Sequence, residues 1–370
     1  MTDTKAIDVT PPPGQQQAAA RAERIHGLDF LRGLCAVFVA TYHSLLWIGY
    51  GDIDSMGTFP VYTFFVLSAL TIAHIYYHDF KDVVGKDKLK DFLFKRIMRV
   101  LPLLAVVSLV MALLRVAAYQ SLDLDILTRF LMTATGAFAL HMPAMMSNTV
   151  GAWSLGVEFV FYISFPLLAL LMPARIGRGL IAVFVFLLVM QQLAIHKSNG
   201  FEAEYRWFSF VMPLTFAPFF LGGLMIYLTE RKTSLLALLL ATLCLCVMSF
   251  YSVFFPGPVG EQPLVFLALT GLSIAAVYFS YNSAVSGGLA WISHELGRLS
   301  YPLYLTHWFS FQAVSKLGGM LGLDVLSIWA LFMVVALVVA HFANILLEVP
   351  MQRVLRRYSP SRRLDRAGRG

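Results

Sequence analysis

Apolar runs of about twenty residues, separated by short polar segments, follow one another from residue 28 to residue 347. A run of that length matches the ~30 Å hydrocarbon core of a bilayer when wound as an α-helix. The pattern predicts an all-α polytopic membrane protein with about ten transmembrane helices. They fall at roughly 28–49, 59–78, 99–119, 153–173, 179–196, 208–228, 234–255, 263–282, 299–318 and 325–347. A further stretch, 126–144, is short, is interrupted by Arg129 and His141, and ends near Pro143. It predicts an extra interfacial or re-entrant helix on the outer side rather than a span. No internal repeat and no soluble domain is visible. The polar residues 1–24 read as a disordered tail, 25–357 as one membrane domain, and 358–370 as a basic tail.

Charge adds a topology. With ten spans and an inner N-terminus, 23 of the 28 lysines and arginines lie on inner segments. The positive-inside rule therefore predicts that both termini are cytoplasmic. An eleventh span would move every inner basic cluster after it to the outside. The net charge of +7 is thus read as orientation, and no nucleic-acid partner is expected. The three cysteines, Cys35, Cys244 and Cys246, sit in apolar runs with no disulfide or metal spacing. Zinc-protease, nucleotide-binding and serine-hydrolase patterns are missing as well, so no metal is expected.

Four groups of polar residues interrupt the apolar pattern. In the first run Arg32 and His43 are eleven apart, about 1100° of helical turn, which puts them on nearly one face about 16 Å apart along the axis. The pair is either an anchoring arginine with a packed histidine or a functional couple, since ionisable groups inside a membrane are costly. Arg96 and Arg99 share a face at the start of the third span. With Arg32 they form a potential guanidinium cluster suited to phosphate, or an ordinary positive-inside anchor that holds membrane lipids. Ser154 and Glu158 are one turn apart in the fourth span, and a carboxyl at that depth needs a partner or a proton. Ser300, Tyr304 and His307 make one polar stripe on the ninth span, facing a cavity or a partner helix. Glu348 is expected to pair with an arginine, His341 to pack, and His74 carries no role. Tyr205, Trp207 and Tyr251 are either sugar-stacking or interfacial aromatics.

Six of these segments occur in order: Leu28-Asp29-Phe30-Leu31-Arg32-Gly33 with His43, Phe64-Phe65-Val66-Leu67-Ser68, Arg96-x-x-Arg99-x-x-Pro102, Trp153-Ser154-Leu155-x-x-Glu158-Phe159, Leu299-Ser300-Tyr301-x-x-Tyr304-Leu305-x-His307 and Glu348-x-Pro350. Together they resemble the acyltransferase-3 family of integral membrane acyltransferases over about residues 25–357. Family members commonly carry a glycine after the Phe-Phe-Val-Leu-Ser run and an acidic residue before it. This chain has Ala69 and Tyr62-Thr63 there. The resemblance implies transfer of an acyl group, usually acetyl, from cytoplasmic acyl-CoA (acetyl-CoA first) to a hydroxyl of an envelope, lipid-linked or exported glycan. It further implies a bacterial inner-membrane location. On that reading Arg32, Arg96, Arg99, Ser300 and Tyr304 hold the donor, and Trp153 and Ser154 contact the acceptor. His43, Glu158 and His307 are the candidate catalytic residues, with His43 as general base or as carrier of the acyl group. The alternative of another class is a transporter or flippase using His43, Glu158 and His307 as a proton relay. The lack of repeat symmetry weighs against it.

Overall fold

The computed structural model describes residues 24–51, 53–172, 177–199, 211–257, 259, 262–358 and 360. Nearly all of both tails, with Tyr205 and Trp207, lies outside the described residues. Among those described, the chain is helical throughout, and the sole β-type contact is a bridge between Ser234 and Ser283. The helices are α1 His26–Ile48, α2 Asp54–Phe80, α3 Lys86–Tyr119, α4 Leu124–Thr135, α5 Ala152–Leu170 and α6 Gly177–Asn199. They continue with α7 Pro213–Tyr227, α8 Leu235–Ser249, α9 Pro263–Tyr281, α10 Gly287–Leu321 and α11 Val325–Ala343.

Among the described residues, seven stretches are long and apolar enough to cross a membrane: α1, α2, α3, α5, α6, α9, and α11 with its continuation to Leu355. The protein is an integral membrane protein. α7 and α8 are shorter apolar helices of 15 residues each. α10, at 35 residues, is long enough but too polar to join the seven. Its Ser300, Tyr304, Thr306, His307 and Ser310 are buried inside the bundle rather than turned to lipid. The sequence placed its start at 299, whereas the helix begins twelve residues earlier. The turn holding His294, Glu295 and Arg298 remains helical although it is polar, because hydropathy does not terminate a helix.

The expected outer element is present as α4 followed by a 3₁₀ turn, Ala137–Leu140, and a single turn, Pro143–Met146. Asp123 caps α4 by accepting a hydrogen bond from the Ile126 amide at 2.8 Å. The connection is then tied down by Asn148, which is buried. Its side-chain oxygen accepts from Ser108 Oγ (2.8 Å), its amide donates to the Ser108 carbonyl (3.0 Å), and its backbone N–H donates to Thr133 Oγ1 (3.0 Å). These bonds fix where α5 begins.

Without a hydrophobic force between helices in lipid, close backbone approach and buried hydrogen bonds hold the bundle. α1 packs most extensively on α10. A Cβ on Gly33 would come within 2.4 Å of Leu296 Cβ, and one on Gly297 within 2.7 Å of Asp29 Cβ, so this crossing requires glycine on both helices. α2 crosses α7 in the same way. There Gly223 faces Ala69 and the Val66 carbonyl, so the glycine at this crossing is on the partner helix and not at position 69. At one end of the bundle Arg231 Nε donates to the Tyr281 carbonyl (2.9 Å) beside the Ser234–Ser283 bridge. At the other, Ser55 and Ser252 each donate a backbone N–H to the other's hydroxyl, at 3.1 and 2.9 Å.

Candidate active site

A cavity of about 520 Å³ opens within the bundle between α1, α2, α3, α5, α10 and the end of α11, inside the size range of about 300–1,000 Å³ usual for small-molecule sites. Five guanidinium groups line it (Arg24, Arg32, Arg96, Arg99 and Arg298) against three carboxyls (Asp29, Glu158 and Glu348). Their pairing is uneven. Asp29 Oδ2 accepts from Arg24 Nε (2.5 Å) and Oδ1 from Arg32 Nη1 (3.1 Å), and Arg32 Nη2 also donates to Thr71 Oγ1 (3.2 Å). Arg298 is paired with Glu295 and donates to Asn344 Oδ1 (2.5 Å). Hydrogen bonds from Arg298 and then His294 hold the Glu295 carboxyl below the ordinary carboxylate range. Arg96 and Arg99 are left over: among the described residues neither makes an ion pair. Arg96 is only 6% exposed, its Nε has no hydrogen-bond partner, and its charge lies 4.8 Å over the ring of Tyr76. A buried guanidinium with no anion of its own is costly. It is suited to receive an anionic group from a ligand.

Further along the cavity stands Glu158 on α5. Its Oε1 accepts from Ser68 Oγ on α2 and from Tyr162 OH, both at 2.5 Å. The partner that this carboxyl needed is therefore a pair of hydroxyls, with Arg32 as the nearby cation. Toward His307 the cavity is lined by Phe64, Ser154 and Tyr304. Tyr304 OH donates to the Gly151 carbonyl (2.9 Å) and lies 2.9 Å from Ser154 Oγ. Gly151, just before α5, has φ +76°, and a Cβ there would stand 2.7 Å from the Tyr304 hydroxyl. Only glycine meets both demands.

One turn past Tyr304 two histidines from different helices meet. His307 Nε2 lies 3.1 Å from His43 Nδ1, their rings stacked with centroids 4.9 Å apart. Trp47, one turn beyond His43 on α1, stacks on both rings. Neither histidine lines the cavity; Tyr304 and Phe64 do.

Of the residues expected to act, Arg32, Arg96, Arg99, Ser154, Glu158, Ser300 and Tyr304 share this one cavity, and His43 and His307 form a pair beyond its end. Trp153 is elsewhere, with its ring against Phe216 of α7. Glu348 is not ion-paired as expected. It accepts from Asn344 Nδ2 (2.8 Å) and Gln352 Nε2 (3.0 Å), with Arg99 and Arg298 as the nearby charges. Asn344 and Glu348 belong to a π-helical turn, Asn344–Glu348, that continues α11; such turns recur at functional sites. His341 lies 3.3 Å from Arg298 rather than merely packing. Tyr251, the one described aromatic of the three considered for sugar, stacks on Phe255. Sequence reasoning passed over Ser68, Thr71 and Tyr162, and counted Arg24 and Arg298 only as topology. Ser68 closes a quoted motif and Tyr162 is one turn from Glu158, so local signals for both were present.

The described helices thus form a membrane bundle with an arginine-lined cavity and, one turn past Tyr304, a histidine pair. The family model described as an acyltransferase domain, acyltransferase-3, matches residues 25–344, and the chain belongs to that family. Acyl transfer follows as its class of activity. Searches of curated proteins and of solved structures returned no match.

Proposed function

We propose that the protein transfers an acyl group, acetyl first, from cytoplasmic acyl-CoA to a hydroxyl of an envelope, lipid-linked or exported glycan in a bacterial inner membrane. The observation that carries this reading is the buried Arg96, unpaired in a cavity that ends one helical turn below His43 and His307. Arg96 and Arg99, with Arg32, take the phosphates of the donor. Guanidinium forks match phosphate oxygens, and neither Arg96 nor Arg99 is held in an ion pair among the described residues, which leaves their charge available. The pantetheine arm follows Ser68 and Glu158 toward Ser154, Ser300 and Tyr304. This path brings the thioester below the histidines, where His43 takes the proton of the acceptor hydroxyl as it attacks. The ten-span topology with both termini cytoplasmic belongs to this proposal. It is supported by the 23-to-5 partition of basic residues and places the arginine end of the cavity on the acyl-CoA side. The proton-relay transporter gains no support from the contacts of Glu158, which bonds Ser68 and Tyr162 rather than either histidine.

The test uses the full-length protein in nanodiscs and in its host. Calorimetry with CoA is expected to show binding that Arg96→Met weakens. Mass spectrometry of envelope glycans from deletion and complemented cells is expected to show an added acyl mass that His43→Ala abolishes at normal protein level. Full glycan acylation with His43→Ala would overturn the mechanism. Solute movement in liposomes without CoA binding would establish the transporter instead.

A further inference from the structure

His307 donates or accepts through both ring nitrogens, and its surroundings decide which does which. Its Nδ1 lies 2.8 Å from the Tyr304 carbonyl oxygen, which can only accept. Nδ1 of His307 therefore carries a hydrogen. In the neutral ring that leaves a lone pair on Nε2, the nitrogen 3.1 Å from His43 Nδ1. A hydrogen bond across that gap requires the hydrogen on His43 Nδ1. The lone pair of neutral His43 is then on Nε2. His307 is 1% exposed, so water does not compete for its nitrogens.

We infer that His307 is a positioning residue that fixes His43 as its Nδ1–H tautomer, so that Nε2 of His43 is the base, and that it shares the proton taken up there. The inference rests on the acyl-transfer reading. In the step itself, the acceptor O–H proton passes to His43 Nε2 as the oxygen bonds to the thioester carbon. The imidazolium charge is stabilised through Nδ1–H on His307 Nε2, and the chain ends on the Tyr304 carbonyl. When the C–S bond breaks, the departing thiolate recovers that proton as the free thiol, so atoms and charge balance. If an acyl-histidine forms first, the same Nε2 lone pair is the nucleophile. This is the logic by which a third group orients the histidine of a catalytic triad, with a second imidazole in the place of the carboxylate.

The pair also explains why α1 and α10 are pressed together by Gly33 and Gly297. A hydrogen bond between side chains on two helices holds only if the helices keep their spacing. The same crossing positions Trp47 over both rings.

The test reads the tautomer directly. In ¹⁵N-histidine-labelled protein in nanodiscs, with His43 assigned by difference from His43→Gln, the neutral His43 is expected as the Nδ1–H form. His307→Gln keeps an oxygen able to accept from Nδ1–H, so the tautomer and most of kcat are expected to persist. His307→Leu removes the acceptor. The Val39 carbonyl, one turn back on α1, then remains as an acceptor beside the His43 ring, so the Nδ1–H share of His43 should fall without vanishing. kcat should fall by about 100-fold, within the usual range of general-base catalysis, while KM for acyl-CoA stays unchanged. An Nε2–H His43 in the wild-type protein would overturn the inference. So would a His307→Leu variant with unaltered tautomer and kcat. A wild-type protein with the expected tautomer that transfers no acyl group would overturn the acyl-transfer reading and the catalytic half of the inference, but not the tautomer assignment.

Discussion

At the scale of single residues, the unpaired guanidinium of Arg96 makes the sharpest claim. Its burial is unfavourable until an anion arrives, so a neutral side chain of similar length should trade binding for stability. Arg96→Met is expected to leave the melting temperature unchanged or raised, because a well-packed apolar replacement relieves a buried charge. CoA affinity should fall by at least tenfold, in keeping with about 1.5–3 kcal/mol for a charged hydrogen bond. Arg96→Lys should restore little of it, since an ammonium lacks the planar fork. A melt in detergent beside a calorimetric titration checks both halves. If the melting temperature drops while affinity holds, Arg96 is an anchor and nothing more. Glu158 is a different case, since both its hydroxyl partners reach the same oxygen. Glu158→Gln keeps the acceptor, whereas Ser68→Ala with Tyr162→Phe strips it. The double variant is expected to destabilise the fold more than the amide does, measured as the shift in unfolding midpoint. The residues themselves were largely legible: Arg32, Arg96, Arg99, Glu158 and His307 stood out as polar side chains in apolar runs. Their pairings were not. Ser68 is 90 positions from Glu158 and His43 is 264 from His307, and helical periodicity says only which face a side chain is on.

At the scale of helices, the α1–α10 crossing and the start of α5 set the geometry of the site. Gly33→Ala places a methyl 2.4 Å from Leu296 Cβ and 2.9 Å from its backbone carbon, and backbone cannot move aside as a flexible side chain can. The helices must part, which overpacking data put at roughly 1–3 kcal/mol. The expected result is a protein that still inserts but has lost the His43–His307 bond, seen as a smaller Nδ1–H share of His43 together with low kcat. Normal activity in Gly33→Ala would show that the pair tolerates a wider crossing. The element boundaries explain where the sequence misled. Each of the ten apolar runs falls on a helix, but α3 begins thirteen residues before its run at 99–119, because the charged turns from Lys86 lower the hydropathy without breaking the helix. The start of α10 escaped because Glu295 and Arg298 lower the local hydropathy without breaking the helix. The end of α8 escaped for the opposite reason: apolar residues continue through 250–255, yet the helix stops at Ser249 and a separate turn, Tyr251–Phe254, follows.

At the scale of the whole molecule the topology turns on α4. Twelve residues span about 18 Å as an α-helix, well short of the ~30 Å core. Arg129 of α4 pairs with Asp125 and donates to the Met145 carbonyl at 2.5 Å, which folds the segment back on its own connection. If α4 lies at the interface, the segments before α3 and after α11 are on one side and the α3–α4 junction on the other. If it crosses, the C-terminal segment changes sides. Three exposed positions separate the cases: Asp87 at the start of α3, Ser121 before α4, and Tyr358 after α11. In a background with Cys35, Cys244 and Cys246 replaced by alanine, an impermeant maleimide applied to intact spheroplasts is expected to label Ser121→Cys alone. Asp87→Cys and Tyr358→Cys should react only after lysis. Labelling of Tyr358→Cys in intact spheroplasts, with Asp87→Cys still protected, would mean an odd number of crossings. The acyl-CoA reading depends on the outcome at Asp87, because Arg96 and Arg99 share its helix and lie within about four turns of it. If that end of α3 faced outward, the guanidinium cluster would be on the side without cytoplasmic acyl-CoA, and the donor would have to be another anionic acyl carrier.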